Sequence, residues 1–109
     1  MLILAREEVV AALLGLMVEV SGFQPKFADN EASAENAIRE DRFHAVLIDC
    51  DHREFSEKLI GLVRSSGARP ILFSPFRLRP DVTQLAQRNG AASFTLPTDP
   101  ETFARILSG

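Results

Sequence analysis

A single cysteine, Cys50, stands in 109 residues, so no internal disulfide can form and the chain suits a reducing, cytoplasmic compartment. Positive charge is in deficit: 12 Lys and Arg face 15 Asp and Glu, for a net charge of −3. No global basic field therefore recruits nucleic acid or an acidic membrane surface. Long apolar runs are missing as well. The longest, Val9 to Val18, is ten residues, half of what a membrane span needs, so insertion is not expected. No basic segment precedes the opening apolar residues, as a secretory leader would require. Trp and Tyr are absent, and Phe is the only aromatic. No glycine-rich phosphate loop is present, which disfavours a nucleotide-binding α/β enzyme. Neither His44 nor His52 has a spacing that argues a hydrolytic triad with Ser74. His52 beside Asp51 and Cys50 lacks the second cluster a zinc site needs. Repeats, low-complexity tracts and linkers are absent too, and the length fits one domain over residues 1–109.

What is present is organised around Phe43 to Asp51. Ala45 to Ile48 is a four-residue apolar run rich in β-branched residues, too short for a helix and suited to a strand buried on both faces. Asp49 and Asp51 follow directly, at the carboxyl end of that strand, where open α/β sheets place their sites. On either side the chain alternates. Strands are expected over 1–5, 23–28, 45–48, 70–74 and 91–96, and helices over 7–20, 32–39, 54–65 and 81–89, with a last helix from Asp99 through Leu107. Glycine stops follow the first, third and fourth helices at Gly22, Gly67 and Gly90. Asp29 or Asn30 is the expected cap of the second helix, and Pro100 sits at the first helical position of the last. Pro25 points the second strand to an edge. Alternation with short links implies a parallel sheet with helices on both faces and right-handed crossovers. The first helix carries more apolar residues than one stripe requires, with Val9, Val10, Leu13, Leu14, Leu16, Met17, Val18 and Val20. It is either packed deeply or exposes an apolar patch to a partner.

Five such units, an Asp ending the third strand, a hydroxyl residue (Ser74) ending the fourth and Gly90-Ala91 opening the fifth resemble the receiver domain of two-component signalling. That is the phosphoacceptor module of response regulators and hybrid histidine kinases in bacteria. The resemblance spans the whole chain. It implies an α/β fold, flavodoxin-like and doubly wound as (βα)5, with strand order 2-1-3-4-5. The first and fifth helices would lie on one face and the other three on the opposite face. It also places Asp49 at the phosphoacceptor position, Ser74 at the Ser/Thr position and Phe94 at the aromatic switch. Glu7, Asp49 and, through its backbone carbonyl, Asp51 are the implied Mg2+ ligands. The pattern departs in three places: Arg6 takes the first acidic position of the metal site, no Lys precedes Pro97, and His52-Arg53-Glu54-Phe55 replaces the proline-glycine loop.

Mg2+ prefers octahedral oxygen ligands, so Arg6 both removes a ligand and adds a repelling charge. Its guanidinium is expected within salt-bridge reach of Asp49 or Glu7, leaving at best a weak Mg2+ site. The losses together imply a degenerate pseudoreceiver. It would act through protein contacts with a histidine kinase or another signalling domain, with weak or no phosphorylation of Asp49 and no other enzymatic activity. A working Mg2+-dependent phosphoacceptor and a cyclic-nucleotide sensor using the Arg77/Arg79 loop stay open beside it. That loop is otherwise a solvated one, and Cys50 a small buried hydrophobe. The expected docking face combines Phe94, Leu78, Val82 and Phe103, and the first helix would carry homodimer formation.

Overall fold

The computed structural model describes residues 1–28, 33–75 and 79–109. Ten elements follow in strict alternation: β1 (Leu2–Leu4), α1 (Glu8–Val20), β2 (Lys26–Phe27), α2 (Ala34–Glu40), β3 (Ala45–Asp49), α3 (Glu57–Ser65), β4 (Arg69–Ser74), α4 (Pro80–Arg88), β5 (Ala92–Thr95) and α5 (Pro100–Ser108). All strand pairs are parallel, in the expected order β2-β1-β3-β4-β5.

The period-two alternation of side chains sorts the core into two layers. Leu2, Leu4, Val46, Ile48 and Leu72 point to one face and pack with Ile38 of α2, Leu59, Ile60 and Val63 of α3, and Val82 and Ala86 of α4. Ile3, Leu47, Ile71 and Phe73 point to the other, against Val10, Leu14 and Val18 of α1 and Phe103 and Leu107 of α5. The helices divide between the faces as expected. β3 is buried at every position, which fixes its register because a one-residue slip would exchange the two layers.

Element ends moved for local reasons. α3 starts at Glu57, not Glu54, because the Ser56 hydroxyl accepts from Leu59 N–H and caps it. Ser33 caps α2 in the same way through Asn36 N–H, while Asp29 and Asn30 lie outside the described residues. β2 shrinks from six expected residues to two, consistent with Pro25 at its start. Asp99 caps α5 as expected, accepting from Thr102 N–H at 2.7 Å, with Pro100 first in the helix. Gly22 and Gly67 close their helices at φ 92° and 90°, which an L side chain rarely adopts.

Helix α1 settles the alternative left open for it. Val10, Leu14 and Val18 are buried, but Val9, Leu16 and Val20 are 68%, 61% and 73% exposed and Leu13 is 40% exposed. The helix is not packed all round; it carries an outward apolar stripe. Phe27 of β2, also half exposed, lays its ring over Gly15, where a Cβ would come within 2.5 Å of Cζ. The expected docking face fares differently. Val82, Phe94 and Phe103 are all buried in the two core layers, and Leu78 lies outside the described residues.

Candidate functional site

Parallel strands bring their carboxyl ends to one rim of the sheet, so the segments after β1, β3 and β4 converge there. Asp49 closes β3 in register with Phe73 of β4, and Ser74 ends β4 in register with Thr95 of β5. Both side chains are buried, at 1% and 2% exposure, the only buried polar or charged residues among those described.

Main-chain donors hold Asp49. One carboxylate oxygen accepts from Arg6 N–H at 2.9 Å and the other from Asp51 N–H at 2.8 Å. The expected Arg6 ion pair is not what forms: the Arg6 backbone reaches Asp49, and among the described residues its exposed guanidinium makes no ion pair. Ser74 is partnered by Cys50, whose thiol lies 3.6 Å from the hydroxyl oxygen. Cys50 is buried, as expected of a small hydrophobe, and burial pushes its pKa up, so the thiol keeps its proton. His52 takes Glu54 N–H on Nδ1, and burial lowers its pKa below the ordinary 6.5, favouring the neutral ring that this bond requires. The Glu54 carboxylate reaches back to Ala34 N–H with both oxygens, at 3.1 and 3.0 Å, and so supplements the cap of α2.

Arg79 is the residue that sequence reasoning undervalued. It is no solvated loop cation. Nη1 donates to Asp51 Oδ1 at 3.0 Å and lies 3.3 Å from Cys50 Sγ, while Nη2 and Nε take the two oxygens of Asp81 at 2.7 and 3.3 Å. The bond to Asp81 raises the Arg79 pKa further and lowers that of Asp81. One signal was available: an arginine directly before the first residue of α4, where the helix dipole disfavours a cation, needs carboxylates near it. Arg77 lies outside the described residues.

Of the three implied metal ligands, the structure brings two together. Donor atoms of Asp49, Cys50 and Asp51 lie within 4.8 Å of one another, and Glu7, exposed at the N-cap of α1, is not part of that group. The donor set suits Mg2+ poorly. Two hard oxygens share it with a protonated thiol, and a guanidinium already bonds the Asp51 oxygen. Phe94, the implied switch residue, is packed inward. Its ring stacks on Phe73 at 5.5 Å and meets Phe103 edge-on at 5.3 Å.

No family model and no curated protein matches the chain. Solved structures do. The chain is similar to the receiver domain of a sensor histidine kinase from Pseudomonas aeruginosa, which holds a magnesium ion in its active-site cleft, at 17% identity over 98% of this chain and 92% of that one, with a TM-score of 0.77. A response regulator from Thermotoga maritima aligns at 20% identity over 99% and 96%, TM-score 0.78. A DNA-binding response regulator of the LuxR family from Staphylococcus aureus aligns at 17% over 98% and 93%, TM-score 0.79. Likeness at these identities is likeness of fold, and the fold is that of receiver domains.

Proposed function

We propose that this receiver-fold chain is a two-component signal-transduction module that works through protein contacts, with phosphorylation of Asp49 weak or absent. The condition of Asp49 carries the proposal: a nearly inaccessible carboxylate with each oxygen turned to a main-chain donor. A phosphoacceptor must present a lone pair in line with the incoming phosphorus, and cations must neutralise the transferring group. Here Arg6 stands for the first acid, the Lys before Pro97 is missing, and the donor set suits Mg2+ poorly. Asp49 then serves as a structural acid at the head of β3. A histidine kinase or another signalling domain is the partner class this reading implies. Incubation with acetyl phosphate and millimolar Mg2+, followed by intact-mass measurement, should leave the mass unchanged. A phosphoryl adduct on Asp49 in a large fraction of molecules would mean a working phosphoacceptor instead. A cyclic-nucleotide sensor gains no support, since Arg79 is taken by Asp51 and Asp81.

The contact surface in this proposal is α1, and a second copy of the chain is its occupant. Val9, Leu13, Leu16 and Val20 recur at spacings of four, three and four, the seam period of packed helices. Valine-leucine-leucine-valine reads the same in both directions, so an antiparallel, two-fold pair sets Val9 against Val20 and Leu13 against Leu16. With Phe27 beside it, the patch is on the order of the ~300–600 Å² of the largest apolar patch on a monomer, short of the ~800 Å² per partner of a standard interface. The pair is therefore weak and concentration-dependent. Leu16→Glu should weaken self-association by about tenfold or more in sedimentation, since it buries a charge in the seam. Its thermal midpoint should stay near wild type, because Leu16 is already in water in the monomer. An unchanged association constant would exclude the α1 seam.

A further inference from the structure

We infer that Arg79 is a built-in counter-ion, placed in the acidic rim in place of a divalent metal and fastening the start of α4 to the segment after β3. The guanidinium clasps Asp81 with Nε and Nη2 and sends Nη1 to Asp51, so one side chain joins the first turn of α4 to the segment after β3. It is half-buried, with 27% of its side chain exposed, and Asp51 is similarly enclosed at 32%. A cation in that position opposes the dipole of α4, and the two carboxylates offset that cost.

The same side chain pre-empts the cluster that would otherwise take an ion. Of the three donor atoms gathered there, Asp51 Oδ1 and Cys50 Sγ both lie within 3.3 Å of Nη1. An ion shared by Asp49, Cys50 and Asp51 would sit a few ångströms from a fixed positive charge, in a half-buried site where solvent screens it poorly. Octahedral Mg2+ also demands oxygens at about 2.0–2.1 Å, and the thiol supplies none. The sequence pointed to Arg6 as the opposing cation; the geometry assigns that role to Arg79, from the opposite side of the rim. As a result the chain's own cation takes the Asp51 side of the rim, which ignores divalent ions. This goes beyond the proposed function and is separable from it, since an unreactive Asp49 is compatible with either metal behaviour.

Titration with Mg2+, followed through the amide resonances of Asp49, Cys50 and Asp51, with Mn2+ broadening as a second probe, is the test. The wild type should show no saturation up to about 10 mM Mg2+. Arg79→Ala should gain a saturable response, tighter by about tenfold or more. Arg79→Lys keeps the charge without the fork and should stay insensitive, which a purely structural clasp would not predict. Should Arg79→Ala fail to fold, Arg79→Gln keeps most of the side chain and carries the same expectation. Saturation of the wild type at low-millimolar Mg2+ overturns the inference. So does a folded Arg79→Ala or Arg79→Gln chain that ignores the ion as the wild type does. Failure of the proposed function is read separately, in the phosphodonor experiment.

Discussion

Replacing Asp49 by alanine should lower the stability of this chain by about 2–4 kcal/mol. Its carboxylate accepts two short main-chain bonds, and each bond to a charged group contributes roughly 1.5–3 kcal/mol. Truncation leaves the N–H groups of Arg6 and Asp51 facing a void. Part of that loss is returned, because the alanine chain no longer desolvates a carboxylate, which keeps the net below the sum of the two bonds. A carboxylate kept chiefly for chemistry behaves differently: its removal from a crowded acidic site is neutral or stabilising. Asp49→Asn retains one acceptor but turns an NH2 toward a donor, so it should recover at most about half of the loss. Urea unfolding of the three proteins reads this directly as a shift in midpoint at constant slope. An Asp49→Ala chain within about 0.5 kcal/mol of wild type would remove the structural role assigned to this residue.

The second large effect is expected at Phe94, where truncation to alanine should cost about 3–5 kcal/mol. The ring is 8% exposed and held between Phe73 and Phe103 in a stack and an edge contact. Against the 5–15 kcal/mol that typically holds a domain together, that is a large share. A double-mutant cycle with Phe103→Leu should return a coupling of about 0.5–1.5 kcal/mol, the worth of an aromatic pair beyond its buried area. A residue that swings between core and solvent cannot be this deeply committed to one packing arrangement. Addition of beryllofluoride should accordingly leave the Phe94 ring resonances where they are. A ring that moves would identify a working switch, and the truncation cost would then fall with it.

The order of the strands could be read from the chain because each apolar run is short, separated and followed by a helix with a stop. Ala45 to Ile48 is the clearest case, and β3 is buried throughout. Boundaries were less legible where a cap lay inside a run of good helix formers: Ser33 and Ser56, not the residues before them, decide where α2 and α3 begin. Composition alone could not say which apolar residues of α1 face water, because the sheet needs only one stripe and the sequence supplies two. At the rim, Asp49 and Ser74 were found by their place at strand ends. The guanidinium that matters was not, since Arg6 and Arg79 are equally plausible neighbours until the crossovers are folded. Glu54 is similar: only tertiary structure puts its carboxylate against the amide of Ala34, 20 residues earlier.

The border strand β2 has a bearing on how the chain behaves when crowded. An open sheet edge is a template on which a neighbouring molecule can add a strand, and long, flat, uncharged edges start fibrils. β2 is two residues long, carries the ammonium of Lys26, and is preceded by Pro25, which has no N–H to offer. A second chain arriving at this border finds almost no ladder to extend. Strand addition is therefore blunted at this border, and the exposed stripe of α1 is the apolar surface on this side of the molecule through which two chains can meet reversibly.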